Sequence, residues 1–264
     1  MSGDSGKDSV PPKNLGAETG RRLLDVLLLF TSSQPKWTIQ EISDETGFSL
    51  STTYRYISAL KDSGLLDRVG DSRYRVTDLV LVLAEAARAA RPPIAEIAKP
   101  ILRQIRDQTG ESVFVARRAG WNVIMVAREE SRSPVRLQFE PGRPMLLHSG
   151  SLSRVLLATM PEHDRSRYLD TLDDETRARE VLSAQSLAEV KKNGSAESFE
   201  EVDEGIWGTS AAVKIDGEGT AALGCAAPLY RNDETQREKI RLLIADGAKK
   251  LTAALSLAPG EISQ

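Results

Sequence analysis

Apolar positions change period near Gly110, from the three-to-four-residue spacing of helices to the alternation of half-buried strands. Before that point Leu23, Leu24, Val26, Leu27, Leu28 and Phe30 predict a strongly apolar first helix. Thr38 followed three residues later by Glu41 is a capping-box pattern, so a second helix is expected through Ile39, Ile42 and Glu45 until Gly47 stops it. Ser49 can cap a third helix. In it Leu50, Thr53, Ile57 and Leu60 share one stripe, while Ser51, Thr52, Arg55 and Ser58 fall on or near the opposite one. Ser63-Gly64 closes this helix, and Leu65 to Arg68, Gly70-Asp71-Ser72 and Arg73 to Val76 predict a two-stranded wing. Asp78 to Ala90 reads as a helix with Leu79, Val82, Leu83 and Ala86 on one face; Arg91-Pro92-Pro93 breaks it, and Ile94 to Thr109 resumes as an amphipathic helix ending at Gly110.

Beyond Gly110 strands are expected at Ser112 to Arg117, Val123 to Arg128 and Pro134 to Phe139, with turns at Ala119-Gly120 and Pro141-Gly142. Leu152 to Met160 reads as a helix, Pro161 opens another, and Leu187 to Asn193 ends at Gly194. Ile206 to Ile215 and Thr220 to Leu229 form two strands joined by Asp216-Gly217-Glu218-Gly219, and Asp233 to Leu255 closes the chain as a helix. Antiparallel strands backed by helices make an α+β sensor-like domain.

The third helix carries chemistry on its free stripe. Short hydroxyls and an arginine occur there with no carboxylate until Asp62, which suits a surface that approaches phosphates and base edges. Candidate DNA contacts are Thr38, Ser49, Ser51, Thr52, Tyr54, Arg55 and Tyr56, with Arg68, Arg73 and Arg75 on the wing. A helix, a glycine turn and a helix alone would be only an αα-hairpin; the carboxylate-free stripe and the basic hairpin at the right distance raise the DNA-binding reading above it.

Length and charge refine this picture. At 264 residues with 40% apolar content there is room for a small domain plus a larger one. Net charge is −3, so DNA affinity must come from a local surface; residues 21–76 hold eight basic against seven acidic side chains, a modest field that calls for two such units acting together. The single cysteine, Cys225, excludes an internal disulfide and reads as a packed thiol in a reducing cytoplasm. No apolar run of membrane-spanning length or signal peptide is evident, so a cytoplasmic protein is expected. Residues 1–18 are too polar to pack and are expected as a disordered arm. Glu200-Glu201 and Asp173-Asp174-Glu175 read as solvated surface.

Several strings, in order, resemble the IclR family of bacterial transcription regulators. They are Ser51-Thr52-Thr53-Tyr54-Arg55 with Leu60 and Gly64-Leu65-Leu66, Thr109-Gly110-Glu111-Ser112, Pro141-Gly142-Arg143 through His148, Ser151-Leu152-Ser153-Arg154 to Leu157-Ala158, Glu200-Glu201 to Gly205-Ile206, and Ala211 to Val213. The resemblance implies a winged helix-turn-helix DNA-binding domain at 19–77, a linker helix at 78–91, a GAF-like α/β effector-binding domain at 92–258 and a tail at 259–264. It also implies a homodimer or homotetramer that binds double-stranded DNA at a palindromic operator, commonly as a repressor, under control of a small-molecule effector.

The family's effector cavity maps onto Ser149, Gly150, Ser151 and Leu152, onto Ser198 and onto Gly208. Ser198 stands where small-acid sensors carry an aspartate, and Gly208 where they carry a cysteine. A wider, less acidic pocket for an organic or aromatic acid is therefore expected, with Ser149-Gly150-Ser151 either holding a carboxylate or acting as a plain helix cap. Trp121, Phe199 and Trp207 are candidate walls or core filler. Catalysis, a metal site and a cofactor are not expected: the two histidines, His148 and His163, lack metal spacing, and no nucleophile elbow or phosphate-binding loop occurs. The rival reading is a constitutive DNA-binding protein whose second domain only oligomerises.

Overall fold

The computed structural model describes residues 15–90, 93–134 and 145–257. It forms two compact units with their boundary between Ala87 and Arg88. The N-terminal unit runs α1 (Leu15–Leu28), α2 (Ile39–Thr46), α3 (Leu50–Asp62), β1 (Leu66–Val69), β2 (Arg73–Val76) and α4 (Leu79–Ala89). The arm expected to end at residue 18 is helical from Leu15, with Glu18 accepting from Arg21 and Arg22 one turn later; residues 1–14 of that arm lie outside the described residues.

Both halves of the capping box are made: Thr38 Oγ1 accepts from the Glu41 N–H at 3.2 Å, and the Glu41 carboxylate accepts from the Thr38 N–H at 2.7 Å. Gly47 ends α2 at φ +70°, a conformation a side chain would strain. Val26, Ile42, Tyr56, Ile57, Leu60, Leu66 and Tyr74 form the core that α1, α2 and α3 share. Leu50, expected on the packed stripe, is half exposed at the first turn of α3, and Tyr56 is packed instead. Trp37 and Tyr74 exchange backbone hydrogen bonds of 3.0 and 2.7 Å, fastening the wing to the segment ahead of α2.

The C-terminal unit contains α5 (Ile94–Thr109), β3 (Ser112–Ala119), β4 (Asn122–Glu129), β5 (Met145–Leu146), α6 (Ser151–Ala158), α7 (Glu162–Leu169), α8 (Asp174–Arg177), α9 (Ala184–Asn193), β6 (Ser195–Phe199), β7 (Ile206–Ile215), β8 (Gly219–Pro228) and α10 (Glu234–Leu257). Its six strands are antiparallel in the order β5-β4-β3-β8-β7-β6. Alternation along the strands feeds two cores. Val113, Val115, Ala221, Leu223, Cys225 and Ala227 pack with α5 and α10, while Ala116, Ala212 and Ala222 pack with α6 and α9. Gly247 lets α10 settle on α5, since a Cβ there would lie 2.6 Å from Ile105 Cδ1.

Strands β5 and β6 and the short α8 carry too few periodic residues to be legible in advance. The expected strand over 134–139 and the turn at Pro141-Gly142-Arg143 fall almost wholly outside the described residues, as do Arg91 and Pro92 of the expected break.

Candidate nucleic-acid interface and effector site

On α3, Ser51, Tyr54 and Arg55 are exposed, and Tyr54 retains 61% of its accessible surface. Ser49 is spent as the N-cap, accepting from the Thr52 N–H at 3.3 Å and donating to the Thr52 hydroxyl at 3.0 Å; Thr52 is half-buried. Thr38 is likewise engaged in capping α2. Tyr56 departs from its expected role as a DNA contact. It is 4% exposed, packs edge-on against Phe48 with ring centroids 5.8 Å apart, and has the Arg55 guanidinium over its ring. Adjacent helix positions lie about 100° apart, so two tyrosines separated by one residue cannot both face outward. Thr53, fully buried, leaves its hydroxyl without a partner.

The three wing arginines differ. Arg68 donates to the Ser72 hydroxyl at the hairpin tip (2.8 Å), and Arg75 pairs with Asp67 across the strands (3.0 Å). Arg73 turns back to Glu41, donating to both carboxylate oxygens at 3.1 and 3.2 Å and to the Lys36 carbonyl. Glu41 is held below the ordinary carboxylate range, first by the Thr38 backbone hydrogen bond and then, against some desolvation, by Arg73. Arg73 therefore ties the wing to the start of α2.

The sequence-derived effector residues of the second unit converge. Ser198 and Gly208 are register partners in β6 and β7, and a Cβ built on Gly208 would lie 2.8 Å from Ser198 Oγ and 3.1 Å from Ser151 Oγ. At Gly208 itself the two hydroxyls stand where a side chain would, so even a methyl there would crowd both. Leu152 reaches the sheet beside Gly224, where Ser210 also packs. Trp207 points to the other face of the sheet as core, donating to Glu197 at 2.9 Å, whereas Trp121 and Phe199 are half exposed.

Glu201, expected as solvated surface, is the largest departure. Its carboxylate accepts from the Gly150 N–H (3.2 Å) at the start of α6 and from Arg154 (2.7 Å), with Arg179 3.8 Å away. The Ser149 hydroxyl donates to the Glu201 carbonyl at 2.9 Å. Arg154 is 5% exposed, and its Nε has no hydrogen-bond partner. Burial pulls the Arg154 guanidinium below its usual pKa, and Glu201 pulls it back. The sequence held one clue, an arginine amid the apolar Leu152 to Met160 run; its partner lies 47 residues away. Next to this cluster His148 Nδ1 and the Tyr168 hydroxyl share a 2.6 Å hydrogen bond. Desolvation, then Arg179, holds His148 below the ordinary histidine range. Cys225 is buried and its thiol is pushed up by desolvation, so it is inert packing.

Among the described residues no helix is long and apolar enough to cross a membrane. The family model of the IclR helix-turn-helix domain matches residues 21–70, and that of the bacterial transcriptional regulator IclR C-terminal region matches residues 86–253. The transcriptional repressor AllR of Salmonella paratyphi A is 23% identical over 94% of this chain and 94% of its own length. A putative IclR regulator from Silicibacter sp. TM1040 shares the fold with a TM-score of 0.74 at 23% identity, over 93% of this chain and 100% of that one. An IclR homolog from Microbacterium hydrocarbonoxydans, solved with 4-hydroxybenzoate, gives 0.69 at 20% identity over 91% and 100%. With both domains matched in order over most of its length, the chain belongs to the IclR family of transcriptional regulators, which are DNA-binding proteins rather than enzymes.

Proposed function

We propose that this regulator is a cytoplasmic repressor that binds a palindromic operator as a dimer, or as a pair of dimers, and that an organic or aromatic acid in its C-terminal domain sets its DNA affinity. The observation that carries the DNA side is the outer face of α3, where Ser51, Tyr54 and Arg55 stand exposed with no carboxylate on the helix before Asp62. Arg55 and the hydroxyls read base edges, and Arg68, whose partner among the described residues is only the Ser72 hydroxyl, holds phosphate. Leu79, Val82 and Leu83 leave an exposed apolar face on α4, which pairs with its copy in the second chain and spaces two α3 helices about 34 Å apart on successive major grooves. On the effector side, support comes from the convergence of Ser151, Ser198 and Gly208 beside the start of α6, and from the acid bound by the Microbacterium homolog.

A second reading has one observation in its favour: hydroxyls fill the space over Gly208, as they would in a domain that only oligomerises. Mobility-shift titration of the full-length protein on an operator selected from random DNA, with and without carboxylic and aromatic acids, separates the two. The effector reading expects one acid to change DNA affinity by roughly 5- to 150-fold. Unchanged affinity across the panel leaves the oligomerising role in its place.

A further inference from the structure

Glu201 places a carboxylate at the start of α6, against the Gly150 N–H and Arg154. Gly150, the N-cap residue of α6, has no side chain to cap the helix, and the Glu201 carboxylate supplies the anion that its N–H and the helix start attract. Two further observations show polar groups that this internal anion does not satisfy. Arg154, 5% exposed, makes its ion pair through a terminal nitrogen and leaves Nε unpartnered. Ser210, 0% exposed, leaves its hydroxyl unpartnered on the α6 side of β7, two residues from Gly208 and packed where Leu152 meets Gly224. Buried donors without partners are costly, and a ligand with several acceptor oxygens would relieve them.

We propose that Arg154 is the charged anchor of the effector site and that Glu201 is its resident counter-ion, exchanged for the carboxylate of the incoming acid. This rests on the assignment of the Ser151, Ser198 and Gly208 cluster as the effector site. Arg154 stays buried throughout, so it requires an anion at all times. In the closed state Glu201 serves, and Val202 lies over Gly150, 3.1 Å from where a Cβ on that glycine would stand. When the acid enters, its carboxylate takes the Arg154 guanidinium and the Gly150 N–H, and residues 200–205 leave the mouth of the site. The exchange selects anions: a neutral analogue of the same shape cannot replace the counter-charge that Arg154 loses.

The test uses full-length protein with 4-hydroxybenzoate and its neutral analogue 4-hydroxybenzamide as probes. Hydrogen exchange of the wild type reports both questions at once. Protection gained at residues 150–153 and 208–210 with the acid locates the site; faster exchange over 200–205 at the same time shows release of Glu201. Protection at the site with unchanged or slower exchange over 200–205 overturns the exchange of counter-ions and leaves the site standing. No protection at 150–153 and 208–210 overturns the site, and the exchange with it. Glu201→Gln supplies the second readout. It should bind the acid about tenfold more tightly than the wild type, because no internal anion competes, with no gain for the amide. Equal or weaker binding of the acid by a folded Glu201→Gln protein, or an equal gain for the amide, refutes the role given to Glu201.

Discussion

Gly208→Ala decides whether the space between β7 and α6 is open or filled, because the two cases differ in sign. Gly208 does not sit at positive φ, so alanine is conformationally allowed there. In an open cleft the substitution would stabilise by about 0.4–1 kcal/mol, through the lower entropy of the unfolded chain. In the structure the new methyl meets Ser198 Oγ at 2.8 Å and Ser151 Oγ at 3.1 Å, against ordinary contacts near 3.5–4.0 Å between carbon atoms. Ser151 and Ser198 are both buried, so their hydroxyls must rotate within a packed layer, an overpacking cost of about 1–3 kcal/mol. Taking the middle of each range, the net is a loss of about 1.3 kcal/mol, or roughly 3–5 °C in the melting transition of the C-terminal unit. Differential scanning calorimetry of the full-length protein reads it directly. Ser198→Ala in the Gly208→Ala background removes the closer contact and should recover part of the loss. A rise in melting temperature for Gly208→Ala alone would refute the filled contact and favour the wider pocket that the family resemblance implies.

Three other outcomes follow from the geometry. Thr53→Val replaces a fully buried hydroxyl that has no partner with a methyl of similar size, so it should raise the stability of the N-terminal unit by about 1 kcal/mol with operator affinity unchanged; a loss of stability in denaturant titration would mean the hydroxyl is satisfied in solution. Arg55→Ala should weaken binding chiefly to the selected operator, whereas Arg68→Ala should weaken operator and random DNA alike and reduce the salt slope by about 1; equal losses on both DNAs for the two variants would contradict those roles. His148 is held below its ordinary pKa by burial and Arg179, so the unfolded chain takes up this proton first as pH falls. Its contribution is therefore fully present above about pH 6.5 and is lost as pH drops through the folded value, and His148→Gln should flatten the decline of melting temperature between about pH 7 and 5; an identical decline in both proteins rules this out.

Much of the N-terminal unit was legible because its determinants are local. Thr38 with Glu41, Gly47, Ser49 and the 3.6-residue stripe through Thr53, Ile57 and Leu60 each act within one or two turns, and each element stands where those residues put it. Tyr56 shows the limit: its hydroxyl and ring read equally as a base contact or as core, and only packing against Phe48 decides. Arg73 has the same ambiguity, since an arginine on a wing strand reads as a phosphate contact until Glu41, 32 residues earlier, is seen beside it.

In the C-terminal unit the sequence by itself determined the two-period pattern of β3, β7 and β8, the glycine stops, and the positions of Ser151 and Gly208 along their elements, while the strand that carries Ser198 was not legible. Only the tertiary structure decided what those positions face. Strand pairing of β6 with β7 brings Ser198 against Gly208, and packing of α6 on that sheet adds Ser151, so the place of a missing side chain is taken by two hydroxyls. The same packing buries Arg154 and draws Glu201 to it across 47 residues. Charge on a side chain is a property of one residue, but the desolvation that makes a charge demand a partner exists only after distant segments have closed around it.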